Sequence, residues 1–415
     1  MIEPKLFKNL YNLEHKKEKT YDFNLDEYKD FLKEFDNPQK EIGRKIHISG
    51  TNGKGSVAEM LTSILVWAGY RVGTYTSPHI REINERIKID GQKISDSTFK
   101  KFEKIIYKKI VSNEHSYRTY FEALTTLAFL YFRKMKTDFS IIETGLGGRL
   151  DSTNVIESEI SVITKIGFDH TDILGKTLEK ITFEKAGIIK NNQNVFTFKQ
   201  KREILEIIKR EAEKKHSNLN IIDSDKIVPV KSDLFIFEKK KYTLHQIGSY
   251  QRENAALAVK VAESANISYR NIKEGLGNFR IEGRLEIVNK KPMIILDGSH
   301  NPQAIERTME EVRQIFPKKT ISVISIFMAD KNYRESIGIL KKYAEKIIIT
   351  QIPFFRCAKK SDYKGIDIDF EMSVKSSLKK AVESKTDIIL FTGSFYLISH
   401  AKKEVEKMFF HFSHS

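Results

Sequence analysis

The part of the chain that follows Pro292 has a regular hydrophobic pattern. Short apolar runs of strand length alternate there with segments in which apolar residues recur every three or four positions, as on one face of a helix. Such alternation predicts a parallel sheet with helices on its faces. The predicted strands are 293–297, 320–327, 346–350 and 387–392, and the predicted helices are 303–315, 333–344, 373–384 and 396–408.

The part before Pro292 contains the same kinds of elements at less regular intervals. An apolar run at 45–49 is typical of a buried strand, and helical spacing from Val57 to Ala68 follows it almost at once. Further strands are predicted at 70–76, 139–142, 160–164, 192–198 and 234–244, and further helices at 23–35, 99–111, 120–135, 200–216 and 251–261. The stretch IEGRLEI, in which Gly283 precedes Arg284, indicates a bend near a domain boundary.

A glycine-rich turn lies between the strand at 45–49 and the helix that follows it. The turn is GTNGKGS, residues 50–56. Its glycines allow backbone N–H groups to fold inward around phosphate oxygens, and the helix N-terminus adds a partial positive charge. Lys54 would reach the outer phosphates, and the Ser56 hydroxyl would face them or a metal. We predict that this variant of the phosphate-loop signature binds ATP.

These patterns predict an α/β protein. A chain of 415 residues is long enough for two or three domains with a sizeable core. The first domain, residues 1–286, would be a P-loop ATPase domain with a mostly parallel sheet. The second, residues 287–415, would be a smaller Rossmann-like α/β domain. No internal repeat or low-complexity tract interrupts this organisation.

The composition is that of a soluble globular protein, with 40% hydrophobic and 30% charged residues. No apolar run is long enough to cross a bilayer, and the N-terminus lacks a hydrophobic signal core. The single cysteine, Cys357, excludes an internal disulfide. These observations predict a cytoplasmic protein with no membrane partner.

The chain is strongly basic, with a formal net charge of +16 and an isoelectric point near 9.4. Such a charge indicates acidic partners, which could be nucleic acid, an anionic membrane or small polyanions. The lysines are scattered, and no nucleic-acid-binding signature accompanies them. A solvated lysine-rich surface and the attraction of anionic substrates explain the charge equally well, so we predict small-molecule substrates and no nucleic acid.

Polar side chains follow the carboxyl ends of three predicted strands. Ser77 follows the strand at 70–76, Glu143 ends the strand at 139–142, and His170 comes shortly after the strand at 160–164. Ligands of α/β sheets bind at this edge, and a carboxylate beside an ATP loop suits Mg²⁺, which shares oxygen ligands with phosphates. Considered alone, Ser77 is better explained as a turn serine and His170 as a structural histidine. A surface-turn glutamate is the alternative for Glu143.

Two helical segments contain residues that are unusual for their surroundings. Lys185, in FEKAGII, lies in an apolar helical context where a free ammonium group is costly to bury. It must either pair with an acid or lose its charge. The segment YQRENAALAVKVA places Asn254 among small residues, which indicates tight packing against a neighbour or a ligand.

The motifs together resemble one family. GTNGKGS, TSPHI followed by NERIKIDG, ETGLGGRLDSTN, DHTDILG, EKAGI, YQRENAALA, GR and DGSHNP occur in the order found in the folate branch of the Mur ligase family. The resemblance extends from about residue 23 to Tyr396 and implies an ATP-dependent amide ligase. Such a ligase adds L-glutamate to a folate or dihydropteroate carboxylate through an acyl phosphate. It also implies Mg²⁺ as cofactor, in two ions, and a monomeric enzyme.

The resemblance also implies roles for individual residues. ATP would contact Gly50, Thr51, Asn52, Gly53, Lys54, Gly55, Ser56, Asn254, Arg284, Asp297 and His300. The metal ligands would be Ser77, Glu143, His170 and Lys185, and the pterin side of the acceptor would contact Thr119, Tyr120, Phe121, Glu122, Leu150, Asp151 and Ser152. Lys54, Lys185 and His170 would act in catalysis. Lys185 matches a lysine that is carbamylated in this family, a change that converts the buried amine into an oxygen ligand.

Two alternatives remain open at this point. Within the same class, the chain could be a Mur-type ligase that acts on another amino-acid or peptide acceptor. From a different class, it could be a P-loop ATP-binding protein that associates with nucleic acid through its basic surface. Glutamate-dependent release of phosphate from ATP distinguishes the ligases from the second alternative.

Overall fold

The computed structural model describes residues 25–112, 119–231, 233–329, 332–354 and 357–409. Within it the chain divides into two units. The first extends to His245 and includes Tyr250–Phe279, and the second consists of Gln246–Ser249 and the chain from Arg280 onward. The sequence analysis placed the boundary after residue 286, so the division of the structure falls slightly earlier.

The first unit is built on an eight-stranded sheet. Its strands in chain order are β1 (Arg44–Ser49), β2 (Val72–Tyr75), β3 (Ile87–Ile89), β4 (Gln92–Lys93), β5 (Phe139–Glu143), β6 (Ile160–Ile163), β7 (Asn194–Phe198) and β8 (Asn218–Ile222). Their order across the sheet is β4-β3-β2-β5-β1-β6-β7-β8. All pairs from β2 to β8 in this order are parallel, whereas β3 and β4 form an antiparallel edge. The predicted α/β class with a mostly parallel first sheet is confirmed.

Most helices up to residue 279 correspond to predicted segments, but those at Thr171–Leu174 and Tyr269–Asn278 were not predicted. The helices are α1 (Leu25–Lys33), α2 (Lys54–Trp67), α3 (Asp96–Val111), α4 (Tyr120–Met135), α5 (Thr171–Leu174), α6 (Leu178–Ala186), α7 (Arg202–Lys214), α8 (Ser249–Ser264) and α9 (Tyr269–Asn278). The first residues of the predicted helix at 23–35 lie outside the described residues. In the described ranges no helix combines the length and apolarity needed to span a membrane.

Helices α3 and α4 begin where side-chain hydroxyls cap them. Ser95 accepts a hydrogen bond from the Thr98 backbone N–H, and Thr119 accepts one from the Glu122 N–H. Such caps satisfy N–H groups that have no partner inside the helix. The apolar faces of both helices then enter one core with α1, and Phe99 of α3 is fully buried there.

The predicted single strand at 234–244 is wrong. The segment forms a hairpin of β10 (Leu234–Phe237) and β11 (Lys240–Thr243), and β9 (Ile227–Lys231) pairs with β10 to complete a small antiparallel sheet. Glu238 and Lys239 reverse the chain with φ angles of 47° and 65°. The sequence places no glycine or asparagine at this turn, so the usual turn signal is missing.

The second unit contains a six-stranded sheet. Its strands are β12 (Glu286–Lys290), β13 (Met293–Leu296), β14 (Ile321–Ser325), β15 (Lys346–Ile349), β16 (Asp369–Phe370) and β17 (Ile388–Thr392), and its helices are α10 (Pro302–Ile315), α11 (Tyr333–Tyr343), α12 (Val374–Glu383) and α13 (Phe395–Phe409). The order is β12-β13-β17-β14-β15-β16, and only β12 pairs antiparallel. The alternating pattern therefore predicted the parallel strands β13, β14, β15 and β17 but not the short strand β16, while β12 lies where the sequence indicated a bend.

Helix α9 packs directly on α2, the helix that starts at the glycine-rich turn. A Cβ atom at Gly275 would lie 2.4 Å from the Ile64 Cα atom, so the two backbones are closer than any other residue would allow. The Ser63 hydroxyl also donates a hydrogen bond of 2.7 Å to the Gly275 carbonyl oxygen. A Cβ atom at Gly277, two residues further along α9, would meet no atom within 4 Å.

We predict opposite effects of alanine at these two glycines. Gly275→Ala forces α9 away from α2 and should lower the free energy of unfolding by about 1–3 kcal/mol. Gly277→Ala adds only helix propensity and should raise the free energy of unfolding by about 0.5–1 kcal/mol. Urea unfolding followed by circular dichroism measures both changes. Equal effects of the two substitutions would contradict the close approach of the helices.

Candidate active site

Four neighbouring strands deliver the predicted site residues to one edge of the first sheet. Strands β2, β5, β1 and β6 lie side by side and run parallel. Ser77 follows β2, Glu143 is the last residue of β5, Gly50 follows β1, and His170 comes after β6. Because parallel strands end at the same edge, residues from distant parts of the sequence meet there.

The glycine-rich turn fits tightly between two neighbouring segments. Gly50 has a φ of 142°, and a Cβ atom there would lie 1.9 Å from the Thr164 hydroxyl oxygen. Gly53 has a φ of 98°, and its Cβ atom would lie 2.7 Å from the Asn254 side-chain oxygen. Both positions therefore require glycine, for backbone conformation and for space. Asn254, predicted to contact nucleotide, lies directly against the turn.

Residues Thr51 and Asn52 hold the turn in place. Their backbone N–H groups donate to the Lys165 carbonyl oxygen at 2.9 and 3.2 Å. The Thr51 hydroxyl donates to the Gly167 carbonyl oxygen and accepts from the Gly167 N–H, both at 3.0 Å. The turn is thereby fastened to the segment after β6.

Helix α2 presents its N-terminus at the turn. The helix starts at Lys54, and in the described structure no side chain caps it at Gly53. The first N–H groups of a helix have no partner inside it and carry partial positive charge. Ser56, in the first turn of the helix, is almost completely buried. Uncapped N–H groups and a nearby lysine together form a site for a phosphate group.

Two lysine side chains converge on one carbonyl oxygen of the turn. The Nζ atoms of Lys54 and Lys185 both donate to the Gly50 oxygen, at 3.1 and 2.9 Å. Lys185 is only 5% exposed. Burial, and then the Lys54 ammonium group, lower the pKa of Lys185 to about 7, while Asp169 and Asp151 oppose this shift. The site therefore contains, beside Lys54, an amine whose pKa lies near neutral pH.

Glu143 lies beside these lysines at the end of β5. The carboxylate is only 3% exposed, and its Oε2 atom accepts a hydrogen bond of 3.1 Å from the Ser77 backbone N–H. Its Oε1 atom lies 3.9 Å from the Lys54 Nζ. The structure therefore brings together Glu143 and Ser77, which the sequence analysis assigned to one metal.

The buried Glu143 carboxylate suits a Mg²⁺ ion that is shared with a nucleotide. Across the described residues, no three His, Cys, Asp or Glu side chains are grouped so that they could hold a metal alone. Mg²⁺ commonly takes one or two carboxylates together with substrate phosphates and water. A single buried carboxylate next to a phosphate loop agrees with that arrangement.

His170 lies next to an acid that the sequence analysis did not single out. It has a φ of 49° and precedes the short helix α5. Its backbone N–H donates to the Asp169 carboxylate at 2.9 Å, and its Nε2 atom lies 3.9 Å from the same carboxylate. Asp169 also acts electrostatically on Lys185. A ligand role for His170 stays a prediction.

The predicted acceptor residues at the start of α4 have clear structural contacts. The Glu122 carboxylate accepts from the Thr119 N–H at 2.8 Å, so these two residues form the capping box of α4. The Phe121 ring packs on Gly145, where a Cβ atom would lie 2.4 Å from it. Tyr120 packs partly buried against the adjacent core. The Phe121 contact ties the start of α4 to the glycine loop after Glu143.

Asp151 is buried and held by several donors. Its Oδ1 atom accepts from the Thr153 N–H at 3.0 Å and hydroxyl at 2.5 Å, and its Oδ2 atom accepts from the Leu146 N–H at 2.8 Å. Burial raises the pKa of Asp151, and these hydrogen bonds oppose that rise. The neighbouring Ser152 shares a hydrogen bond with Thr125, whereas Leu150 is partly exposed.

Two of the three predicted nucleotide residues of the second unit lie beside one aromatic ring. The Arg284 guanidinium lies 4.2 Å from the centre of the Phe395 ring, and the His300 ring is 6.2 Å from it. Asp297 is buried and accepts from the Leu285 backbone N–H at 2.9 Å. Phe395 was not predicted. A lone aromatic residue at a helix start gave no signal of this role.

Two family models match the chain. The Mur ligase middle domain matches residues 48–262, and the Mur ligase glutamate ligase domain matches residues 283–395. The first contains the strand edge described above, and the second contains Arg284, Asp297 and His300.

Known proteins match over nearly the whole chain. A relative from Bacillus subtilis, dihydrofolate synthase/folylpolyglutamate synthase, is 38% identical over 92% of this chain and 95% of its own. The structure of Escherichia coli FolC in complex with DHPP and ADP has a TM-score of 0.88 at 27% identity, covering 97% of this chain and 98% of that one. A bifunctional folylpolyglutamate synthase/dihydrofolate synthase from Yersinia pestis, solved with AMPPNP and a Mn ion, has a TM-score of 0.86 at 25% identity and covers 97% and 98%.

We predict that Glu143→Gln weakens the use of Mg²⁺ by the nucleotide site. Loss of the negative charge should raise the Mg²⁺ concentration that half-saturates ATP binding by about tenfold or more. Titration calorimetry of ATP at a series of Mg²⁺ concentrations measures the change. Glu103→Gln alters another buried glutamate, on α3, and should leave the Mg²⁺ requirement as it is. An unchanged requirement in Glu143→Gln would assign Glu143 a structural role.

Proposed function

This chain belongs to the folate branch of the Mur ligase family, and we propose that it uses ATP to join L-glutamate to the carboxylate of a folate or of dihydropteroate. The observation that carries the proposal is the convergence of Lys54 and Lys185 on the Gly50 oxygen. It places positive charge at the phosphate loop, next to the Glu143 carboxylate. Such a site can bind the anionic groups of a nucleoside triphosphate and of a second anionic reactant.

The reaction requires activation of an unreactive acid. A carboxylate is a poor electrophile, so an amine does not attack it directly at neutral pH. Attack of the acceptor carboxylate on the γ-phosphorus of ATP gives an acyl phosphate and ADP. The α-amine of glutamate then attacks the acyl carbon, forms the amide and releases phosphate. Catalysis of phosphoryl transfer depends mainly on positioning and charge neutralisation, so no protein nucleophile is needed.

Lys54 and the start of α2 would perform most of this neutralisation. The Lys54 ammonium group is held by the Gly50 oxygen and is therefore oriented before nucleotide binds. The uncapped N–H groups of the helix N-terminus would bind the phosphate oxygens. Because both groups are fixed in advance, little reorganisation is needed as negative charge moves to the leaving oxygen.

Glu143 and Ser77 would hold a Mg²⁺ ion bound to the nucleotide phosphates. When bound, Mg²⁺ neutralises phosphate charge as a Lewis acid. The Mn ion and AMPPNP in the Yersinia pestis relative support a divalent ion with nucleotide in this family. The buried Glu143 carboxylate is oriented by the Ser77 N–H. That bond leaves Oε1, the atom on the Lys54 side, turned toward the phosphate loop.

Lys185 is proposed to react with CO₂ to form a carbamate. Only a neutral amine attacks CO₂, and a pKa of about 7 leaves much of Lys185 neutral at physiological pH. The reaction forms an N–C bond, releases a proton and converts a possible cation into an anion. The carbamate would attract Lys54 where the ammonium form repels it. Together with His170, it would supply ligands for a second metal ion.

The acceptor is proposed to lie along Phe121, Leu150, Asp151 and Ser152. Phe121 offers a ring beside the glycine loop, and Asp151 offers fixed acceptor oxygens. Thr119, Tyr120 and Glu122 would shape this region chiefly by starting α4. The DHPP and ADP bound by the Escherichia coli relative support a pterin-type acceptor together with nucleotide.

We propose nucleotide contacts from both parts of the chain. Asn254, Arg284, Asp297 and His300 are proposed nucleotide contacts. Asn254 lies against Gly53. Arg284 and His300 lie beside the Phe395 ring, and Asp297 accepts a hydrogen bond from the Leu285 N–H. We also propose that the chain acts as a monomer in the cytoplasm, without nucleic-acid or membrane partners. Its net charge of +16 would then serve to attract anionic substrates.

The central test measures phosphate release and product mass with purified protein, ATP, L-glutamate and either 7,8-dihydropteroate or tetrahydrofolate. We expect release that requires both glutamate and the acceptor. Lys54→Ala should reduce the rate by about 10²-fold or more while the protein stays folded. Lys199→Ala, which alters an exposed lysine of the same unit, should not change the rate. ATP hydrolysis that does not require glutamate and is stimulated by nucleic acid would instead favour a nucleic-acid-associated ATPase.

A second test addresses the carbamate. With ¹³C-labelled bicarbonate, a lysine carbamate resonance should appear in the wild type and increase as the pH rises through about 7, because deprotonation of Lys185 then exposes the amine. Lys185→Ala should lose the resonance and most activity, and added short carboxylates such as acetate should restore part of the activity. Lys190→Ala removes another largely buried lysine and should keep the resonance. Full activity of Lys185→Ala without additives would exclude the carbamate.

A further inference from the structure

A buried histidine lies in the central strand that leads into the phosphate loop. His47 is completely inaccessible to solvent and sits on β1 between Ile46 and Ile48. Its Nε2 atom lies 2.8 Å from the Thr153 hydroxyl oxygen, and its Nδ1 atom has no hydrogen-bond partner among the described residues. An aliphatic side chain at this position would fill the interior without leaving a polar atom unpaired. A buried polar atom without a partner lowers the stability of the fold. The single hydrogen bond of His47 therefore calls for a reason.

The direction of that hydrogen bond follows from its neighbours. The Thr153 hydroxyl donates its only proton to the Asp151 Oδ1 atom, so toward His47 it can act only as an acceptor. His47 must then carry its proton on Nε2. Burial, with a smaller contribution from the Lys190 ammonium, holds the pKa of His47 well below its ordinary value, so the ring is neutral. The result is a directed chain from His47 through Thr153 to Asp151.

This chain ends at the reaction site. The Asp151 carboxylate acts electrostatically on Lys185. The pKa of Tyr75 is raised mainly by burial, with smaller contributions from Asp151 and Glu143. These effects place the Asp151 carboxylate near the groups that surround the strand edge. The neighbouring Oδ2 atom is fixed by the Leu146 N–H, inside the glycine loop that follows Glu143.

A second polar contact links the same strand to the same loop. Ser49, two residues after His47 and therefore on the same side of β1, donates a hydrogen bond of 2.7 Å to the Gly147 carbonyl oxygen. The side of β1 that carries His47 and Ser49 thus holds the loop at both Gly147 and Thr153. A strand that only filled the core would not need two polar contacts to one loop.

We propose that His47 is a positioning residue for the ligase reaction: through Thr153, it fixes the Asp151 carboxylate as a hydrogen-bond acceptor for the N–H groups of the pterin ring. The inference rests on the proposed function, in which Asp151 contacts the pterin end of the acceptor. The His47 Nε2–H donates to a lone pair of the Thr153 hydroxyl oxygen. This bond strengthens the hydrogen bond that the same hydroxyl donates to Asp151. Without that donor the hydroxyl can rotate, and the Asp151 carboxylate then keeps only the backbone N–H groups of Leu146 and Thr153 as donors.

The test compares substrate-specific kinetic constants of His47→Leu and Thr153→Val with the wild type. Both substitutions should raise the KM for dihydropteroate by about tenfold, the effect of one hydrogen bond. The KM for ATP and the kcat should stay within about twofold of the wild type. His47→Gln, which can keep a donor near the Nε2 position, and Thr153→Ser, which keeps the hydroxyl, should recover most of the lost affinity. Thermal unfolding confirms that each variant is folded.

The matched control is Thr197→Val. Thr197 is a buried threonine of β7 whose hydroxyl donates to the Ile163 carbonyl oxygen at 2.8 Å, so its loss removes a comparable hydrogen bond. This variant should lose stability but keep the wild-type KM for dihydropteroate. If the KM for dihydropteroate rose equally in Thr197→Val and His47→Leu, general destabilisation would explain both changes. That result would overturn the inference.

A double substitution tests whether the two residues act in one chain. If His47 acts only through Thr153, His47→Leu should have no further effect on the KM in a Thr153→Val background. Multiplicative effects, or variants indistinguishable from the wild type, would refute the chain while leaving the ligase function intact. A wild-type enzyme that ligates glutamate to neither pterin substrate would instead refute the proposed function itself.

Discussion

The Gly50 carbonyl oxygen is the point on which the site depends. Two lysine amines donate to it, one from the phosphate loop and one from α6. Like charges brought to one oxygen repel each other, and burial adds to the cost of charging the second. The carbonyl oxygen reaches this position because Gly50 adopts a φ of 142°. A Cβ atom at residue 50 would collide with Thr164, so only glycine fits here. A glycine thus sets the location of positive charge in the site.

This arrangement gives the two lysines different chemical roles. Lys54 lies near Glu143, where its proposed role is to stabilise the charge that develops on a phosphate group. Lys185 is more deeply buried, and its pKa falls to about 7. An amine that is neutral part of the time can react with CO₂ or accept a proton, whereas an exposed lysine of ordinary pKa cannot at neutral pH. The two residues are both lysines, and burial lowers the pKa of Lys185 and so gives its amine a different reactivity.

Local sequence predicted the elements that depend on local rules. The alternation after Pro292 and the glycine-rich turn before α2 led to the correct class and to the correct strand edge. Helix α4 has the bounds that its apolar spacing predicted, since Thr119 caps its start. The single strand predicted at 234–244 was wrong. The chain reverses there because Glu238 and Lys239 take left-handed backbone angles, and the sequence has no turn signal at these positions.

Contacts between distant segments could not be predicted in the same way. Asp169 and Phe395 each lie beside a predicted residue, but nothing in their own sequence context distinguishes them from ordinary polar or aromatic positions. The link from His47 to Thr153 joins residues 106 positions apart in the chain. Such a link exists only because β1 lies between β5 and β6, which brings the loop after β5 across the strand. Pairing of the strands therefore had to be known first.

The central strand β1 has two different faces, and in the proposed function this lets one element position both substrates. One face carries Ile46 and Ile48 into the core, which anchors the strand and with it the phosphate loop at its end. The other face carries His47 and Ser49, whose hydrogen bonds hold the loop that contains Asp151. A displacement of β1 would move the nucleotide loop and the acceptor loop together. Phosphoryl transfer needs the acceptor carboxylate and the γ-phosphate in line, and a shared rigid strand keeps both loops in a constant relation.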